Sequence, residues 1–189
     1  LDSTNVCQPI LTAITTIGLD HVALLGPDVA SIAREKAGII KEKIPVLLGR
    51  IELEAQEVIV QEAHRLSAPV EVLGQDFLAC YQESLDDGEV FCYRSKCREE
   101  MKLKTGLLGL HQVDNAGLAL ALCDVFCQEG GLSLLSQDEI IQAWSQVQWP
   151  GRLEIISTQP LIILDGAHNP HAVRDRKSTR LNSSHSGES

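Results

Sequence analysis

Apolar residues in this chain alternate between short β-branched runs and stretches at helical spacing. Ile10 to Ile17, rich in Ile and Thr, is predicted as a strand that stops at Gly18. Pro27 and Asp28 then mark a helix start, and Val29, Ile32, Ala33 and Ala37 give that helix one apolar face. Gly38 stands where a helix C-cap glycine belongs. Pro45 to Gly49 is a short apolar strand of the buried parallel type. Glu52 to Leu66 is predicted helical, with Ala55, Val58, Ile59 and Ala63 inward, and Val70 to Gly74 is a further strand. This β-α-β-α-β rhythm predicts an α/β fold with a doubly wound parallel sheet.

Beyond Asp76 the pattern changes. Phe77 to Gln82 and Val90 to Ser95 flank the turn Asp86-Asp87-Gly88, predicting an antiparallel hairpin appended to the parallel sheet. Gly106 to Gly109 reads as a loop and Val113 to Cys127 as a long apolar helix. Ser136 and Glu139 have the spacing of a capping box, opening a helix to about Val147 with Ile140, Ile141, Ala143, Trp144 and Val147 facing in. Trp149-Pro150-Gly151 reads as a hinge, followed by strands over Leu153 to Ser157 and Leu161 to Asp165. Three segments result: 1–149, 150–173, and 174–189. The last is rich in Ser and Arg and has no hydrophobic periodicity, and is read as a non-native or disordered tail.

Composition narrows the function classes. With 189 residues, 44% hydrophobic and 22% charged, the chain has the balance of a globular domain. No apolar run reaches the length of a membrane span. The net charge of −10 argues against a nucleic-acid or anionic-membrane surface. The six cysteines form no CxxC pair, so a zinc site is not expected, and thiols of this kind suit a cytoplasmic protein. Cys123 and Cys127, one helical turn apart, read as core residues.

Candidate chemistry begins with Asp20 and His21, directly after the first strand, and with Glu35 and Lys36 at the end of the following helix. That arrangement suits a site at the carboxyl edge of an open sheet, and equally an ordinary polar loop. His111 and Asn115 are four apart and share a helix face with Gln112 beside them, which fits a binding role or helix capping. Arg152 suits a phosphate contact or a surface pair with Glu154. Asp165, His168, Asn169 and His171 follow a strand, in a binding loop or a plain polar one.

LDSTN, IGLDH…LG…IAREKAGIIK, GLHQVDNA, WPGRLE and LDGAHNPHA, in that order, resemble the folylpolyglutamate synthase/dihydrofolate synthase family of the Mur ligase superfamily. The resemblance runs from Leu1 to about Val173. It implies that 1–149 is part of a central ATP-binding domain with a P-loop-type sheet, and that 150–173 begins a C-terminal Rossmann-like domain. It further implies an ATP- and Mg²⁺-dependent ligase that joins L-glutamate to dihydropteroate or folates through an acyl phosphate, working as a monomer. His21 is then a Mg²⁺ ligand, Lys36 a lysine that forms a carbamate with CO₂, and Asn115 an adenine contact. Arg152 would meet nucleotide phosphate, Asp165 the ribose, and His168 would lie close to the phosphates.

No GxxxxGK[ST] loop occurs in these residues, so the chain is expected to be an internal fragment, inactive alone. Another Mur-type amino-acid ligase acting on cell-wall precursors, or a non-catalytic nucleotide-binding remnant, are the alternative readings.

Overall fold

A computed structural model describes residues 3–17 and 28–166. The described residues form an α/β structure that divides into two compact units. The first unit takes the described residues up to Leu78, together with Ser95–Cys97 and Gly117–Leu134. The second takes Ala79–Arg94, Arg98–Ala116 and the described residues from Leu135 onward.

In the first unit, β1 (Thr12–Ile14), β2 (Val46–Leu48) and β3 (Val70–Val72) form a parallel sheet in sequence order, joined by α1 (Val29–Ala37) and α2 (Leu53–Arg65). Ile14 pairs with Leu48, and Leu48 with Val72. Val46 and Leu48 project into a core with Ile32, Ala33 and Ala37 of α1 and Ala55, Ile59 and Ala63 of α2. Leu47 points to the opposite face and is equally buried. Such double-sided burial is why this strand reads as a continuous apolar run.

β1 is shorter than the Ile10–Ile17 run. Ile10 is 60% exposed, and Thr15 and Thr16 lie in solvent, so β propensity outside the three paired residues has no partner strand to act through. Residues Ser3–Val6, read as a loop, form a 3-10 turn. It is tied in by Lys41, whose Nζ donates to the Asn5 carbonyl (2.9 Å) and Oδ1 (2.6 Å). Gly49 sits where a Cβ would fall 2.1 Å from the Thr15 carbonyl oxygen, so a glycine permits the close approach of β1 and β2.

The second unit is built on β4 (Phe77–Leu85), β5 (Gly88–Ser95) and β6 (Arg98–Thr105), which form a three-stranded sheet in that order. The links between them are two residues each, too short for a parallel crossover, so neighbours run antiparallel. β6 has no counterpart in the sequence reading. Its residues REEMKLKT bury only Leu103 and Thr105, and a strand with one charged face lacks the apolar run that signals a strand.

The long helix α3 (Leu110–Glu129) starts three residues before Val113. The next helix, α4 (Gln137–Ser145), opens with the expected capping box: Ser136 Oγ accepts from Glu139 N (3.3 Å), and Glu139 Oε2 accepts from Ser136 N (2.7 Å). It docks on the second unit's sheet through Gln137, whose Nε2 donates to Lys102 O (3.1 Å), and through Trp144, 5.7 Å between ring centroids from Phe91.

Of the five side chains expected inward on α4, only Ile140 is buried. Trp144 is half-buried, Ala143 is exposed, and Ile141 and Val147 are 46% and 39% exposed. A nine-residue helix covers a sheet edge with one narrow stripe, and the other apolar positions fall outside it. Cys127 is buried as expected, but Cys123, one turn earlier on α3, is exposed. None of the six cysteines, all among the described residues, is in a disulfide. β7 (Glu154–Thr158) and β8 (Leu161–Leu164) close the described chain as an antiparallel pair. Among the described residues, no helix is long and apolar enough to cross a membrane.

Gly88 and Gly74 both have positive φ, +148° and +91°. A Cβ on Gly88 would sit 1.9 Å from the Thr105 carbonyl oxygen, whereas one on Gly74 meets nothing within 4 Å. Gly74→Ala is therefore expected to cost only backbone strain, about 1–3 kcal/mol. Gly88→Ala is expected to cost clearly more, because β5 and β6 must separate. Urea unfolding of both variants compares them, and equal midpoints would contradict the packing argument.

Candidate functional site

α1 brings Lys36 to its last turn. Asp28 caps the helix start, with Oδ1 accepting from Ser31 N at 2.6 Å. Gly38 occupies the C-cap, but with φ of −58° it is right-handed, and the left-handed cap suggested by the glycine does not form. The chain instead winds on through short-range bonds from Gly38 N to Glu35 O (3.2 Å) and Ile40 N to Ala37 O (3.0 Å). Lys36 and its neighbour Glu35 are exposed. His21 and Asp20, between β1 and α1, lie outside the described residues.

The first turn of α3 holds three amide and imidazole groups in a row. Gln112 is buried and lies between the other two. Its Nε2 is 3.1 Å from His111 Nε2, and its Oε1 accepts from Asn115 Nδ2 at 3.1 Å. An amide nitrogen only donates, so in this geometry His111 Nε2 is the acceptor. These polar side chains bond to one another. Asn115 is exposed, and its bond to Gln112 uses one of its two amide N–H groups.

The helix start is held by a residue the sequence reading passed over. Glu89, only 1% exposed, accepts at Oε1 from the N–H of Gly109 (2.7 Å) and at Oε2 from Ser84 Oγ. The available signal was an acidic residue at the head of an otherwise apolar strand, GEVFCY. A buried carboxylate is costly unless hydrogen-bonded, so its presence there announces partners.

Arg152 and Asp165 come together at the base of the β7–β8 pair. Leu153 N donates to Asp165 Oδ2 (2.9 Å), and Gly166 N donates to Gly151 O (2.7 Å). The residues on both sides of Arg152 are thus tied to the segment containing Asp165. Glu154 Oε2 accepts from Gly151 N (2.8 Å), so this carboxylate serves the turn. Arg152 itself is exposed. His168, Asn169 and His171 lie outside the described residues. Among the described residues no three His, Cys, Asp or Glu side chains converge as a metal site.

The Asp28 carboxyl is held below its ordinary value of 3.8, chiefly by the Ser31 backbone N–H. Its folded pKa is depressed, so the cap's contribution is complete above about pH 4 and is lost as pH falls through the lowered value. The amide shift of Ser31, followed by NMR, is expected to titrate with a midpoint below 3.8. A midpoint at or above that value would show that the cap does not form in solution.

No protein-family model matches the chain. Individual relatives do. It is 40% identical over 174 residues to a dihydrofolate synthase/folylpolyglutamate synthase of Bacillus subtilis, covering 91% of this chain and 40% of that protein. It is 34% identical over 172 residues to a folylpolyglutamate synthase of Lacticaseibacillus casei, again covering 91% of this chain and 40% of the relative. Among solved structures, a complex of FPGS with AMPPCP and folate superposes with a TM-score of 0.90 at 32% identity, covering 95% of this chain and 44% of that one. The chain spans about 40% of the length of the curated relatives it matches.

Proposed function

Because this chain belongs to the folylpolyglutamate synthase/dihydrofolate synthase family, we propose that it supplies part of an ATP-dependent ligase. That ligase adds L-glutamate to dihydropteroate, to folyl-glutamates, or to both. The observation behind this reading is the agreement of sequence and fold along nine-tenths of the chain with enzymes of that name, one of them solved with an ATP analogue and folate. Residues 1–149 are read as belonging to a Mur-ligase-type central ATP-binding domain; the expected hairpin is instead part of the separate three-stranded sheet β4-β5-β6. Residues 150–173 are read as belonging to the C-terminal Rossmann-like domain. A cytoplasmic monomer is the matching assignment, with no nucleic acid or membrane as partner.

The reaction activates a carboxylate by phosphoryl transfer from ATP and resolves the acyl phosphate by attack of the glutamate amine. Such a reaction needs positioned charge more than a covalent nucleophile on the protein. Asn115 is assigned to the adenine: an amide presents a donor and an acceptor side by side, the pair that matches an adenine edge. Its link to the buried Gln112 supports this by holding the amide in one orientation.

Arg152 is assigned to nucleotide phosphate, where a guanidinium forks onto two oxygens. Asp165 is assigned to ribose hydroxyls. A carboxylate offers about four lone pairs, so the bond from Leu153 N orients it without exhausting it. His168 is placed near the phosphates, and His21 among the Mg²⁺ ligands; both assignments rest on the family motifs. Lys36 is assigned a carbamate: its neutral amine forms an N–C bond to CO₂ and releases a proton, leaving an anion that can help hold the metal. The exposure of Lys36 leaves its amine accessible to CO₂.

A protein of the relatives' length that carries this segment is expected to release ADP and phosphate only when dihydropteroate or a folate is present with L-glutamate. Turnover with a UDP-sugar peptide instead would assign it to the cell-wall ligases, and absence of any nucleotide binding would make it a remnant.

In the same protein, Lys36→Ala is expected to lower kcat by about 10²-fold or more, the usual scale for loss of a charge that stabilises a transition state. Bicarbonate titration of the wild type checks the cause: activity should rise with bicarbonate after CO₂ is stripped. Indifference to both treatments would remove the carbamate.

A further inference from the structure

The buried Glu89 is not used by the reaction as read above, and its position on the second unit's sheet is specific. One oxygen takes the hydroxyl of Ser84 at the end of β4, and the other takes the backbone N–H of Gly109, the residue immediately before α3. Gly109 has a positive φ of 111°, so the chain turns sharply into the helix there. Its carbonyl in turn accepts from Gln112 N at 2.8 Å, within the first turn. Gln112 then holds Asn115 through its side-chain oxygen. A continuous path of hydrogen bonds therefore runs from Glu89, through Gly109 and Gln112, to the Asn115 amide. An anion at a helix N-terminus is also favoured by the helix dipole.

We propose that Glu89 is a positioning residue for nucleotide recognition: through Gly109 it sets where the first turn of α3 begins, and so where Asn115 presents its amide to adenine. The inference rests on the assignment of Asn115 to the adenine. A carboxylate suits the task because it accepts two hydrogen bonds from different elements at once, and burial strengthens both. An apolar residue at 89 would fill the space but leave Gly109 N–H buried without its acceptor, at the cost that an unsatisfied donor carries.

The test is a double-mutant cycle in a full-length protein carrying this segment, read by AMPPCP affinity and by KM for ATP and for L-glutamate. Glu89→Ala is expected to weaken AMPPCP binding and raise KM for ATP by about tenfold, leaving KM for L-glutamate unchanged. Glu89→Gln keeps an acceptor for Gly109 and a partner for Ser84, so it should restore most of the affinity. Ser84→Ala removes only one of the two bonds and should fall between; it keeps the test alive if Glu89→Ala fails to fold.

In the Asn115→Ala background, Glu89→Ala should add less than about twofold, because both act through one contact. Full additivity with Asn115→Ala overturns the inference, as does a Glu89→Ala protein that is less stable yet binds AMPPCP as the wild type does. If Asn115→Ala alone leaves AMPPCP affinity unchanged, the adenine assignment itself fails and the inference falls with it.

Discussion

The first unit depends on burying β2 on both faces. Val46, Leu47 and Leu48 are all fully enclosed, and they can be so only if β1 and β3 satisfy the strand's backbone on either side while helices cover its surface. That requirement sets the parallel order β1-β2-β3, because each return to the sheet must cross over through a helix. It also explains the small residues of α1 and α2. Ala33 and Ala37, with Ala55 and Ala63, let the two helices lie close to each other and to the strands. Larger side chains there would overpack a core that Ile32 and Ile59 already fill.

α3, whose first turns belong to the second unit and whose remainder belongs to the first, meets a different problem: how to fix polar groups on a helix that is otherwise apolar. α3 buries Val113, Leu118, Leu120, Ala121 and Val125 on more than one side. Its first turn nevertheless holds His111, Gln112 and Asn115, and each is bonded to the next. The buried Asp124 further along receives a bond from the Cys97 thiol at 3.6 Å, a local pairing within the first unit. In both places a buried polar group has a protein partner, as the cost of desolvation requires. At the β7–β8 pair the same economy of backbone bonds joins Asp165 to Leu153 and Gly166 to Gly151, placing Arg152 and Asp165 on one short stretch of surface.

Much of the parallel unit was legible from pattern. The helical spacing of Ile32, Ala33 and Ala37, and the run PVLLG, each respond to burial that the sequence itself encodes through period and composition. The capping box at Ser136 was legible for the same reason: it is a local contact between residues three apart. β6 was not legible, because its strand character comes from pairing with β5 and its charged face disguises it. Nor was the fate of α4's apolar positions. Periodicity predicts a face, but the width of that face depends on what the helix lies against.

Residue spacing and local chemistry alone settle the order of elements in the parallel unit, the family motifs, and the identity of the candidate polar residues. Those are encoded in spacing and local chemistry, and they need no knowledge of distant partners. Packing in three dimensions is what makes Gln112 the buried link between His111 and Asn115, and what lets Leu153, twelve residues earlier, hold Asp165. It alone decided that Glu89 would reach Gly109, twenty residues away. The physical reason is common to all three. A hydrogen bond between side chain and backbone depends on distance and angle in space, and neither is written in the one-dimensional pattern until the sheet and helix have packed.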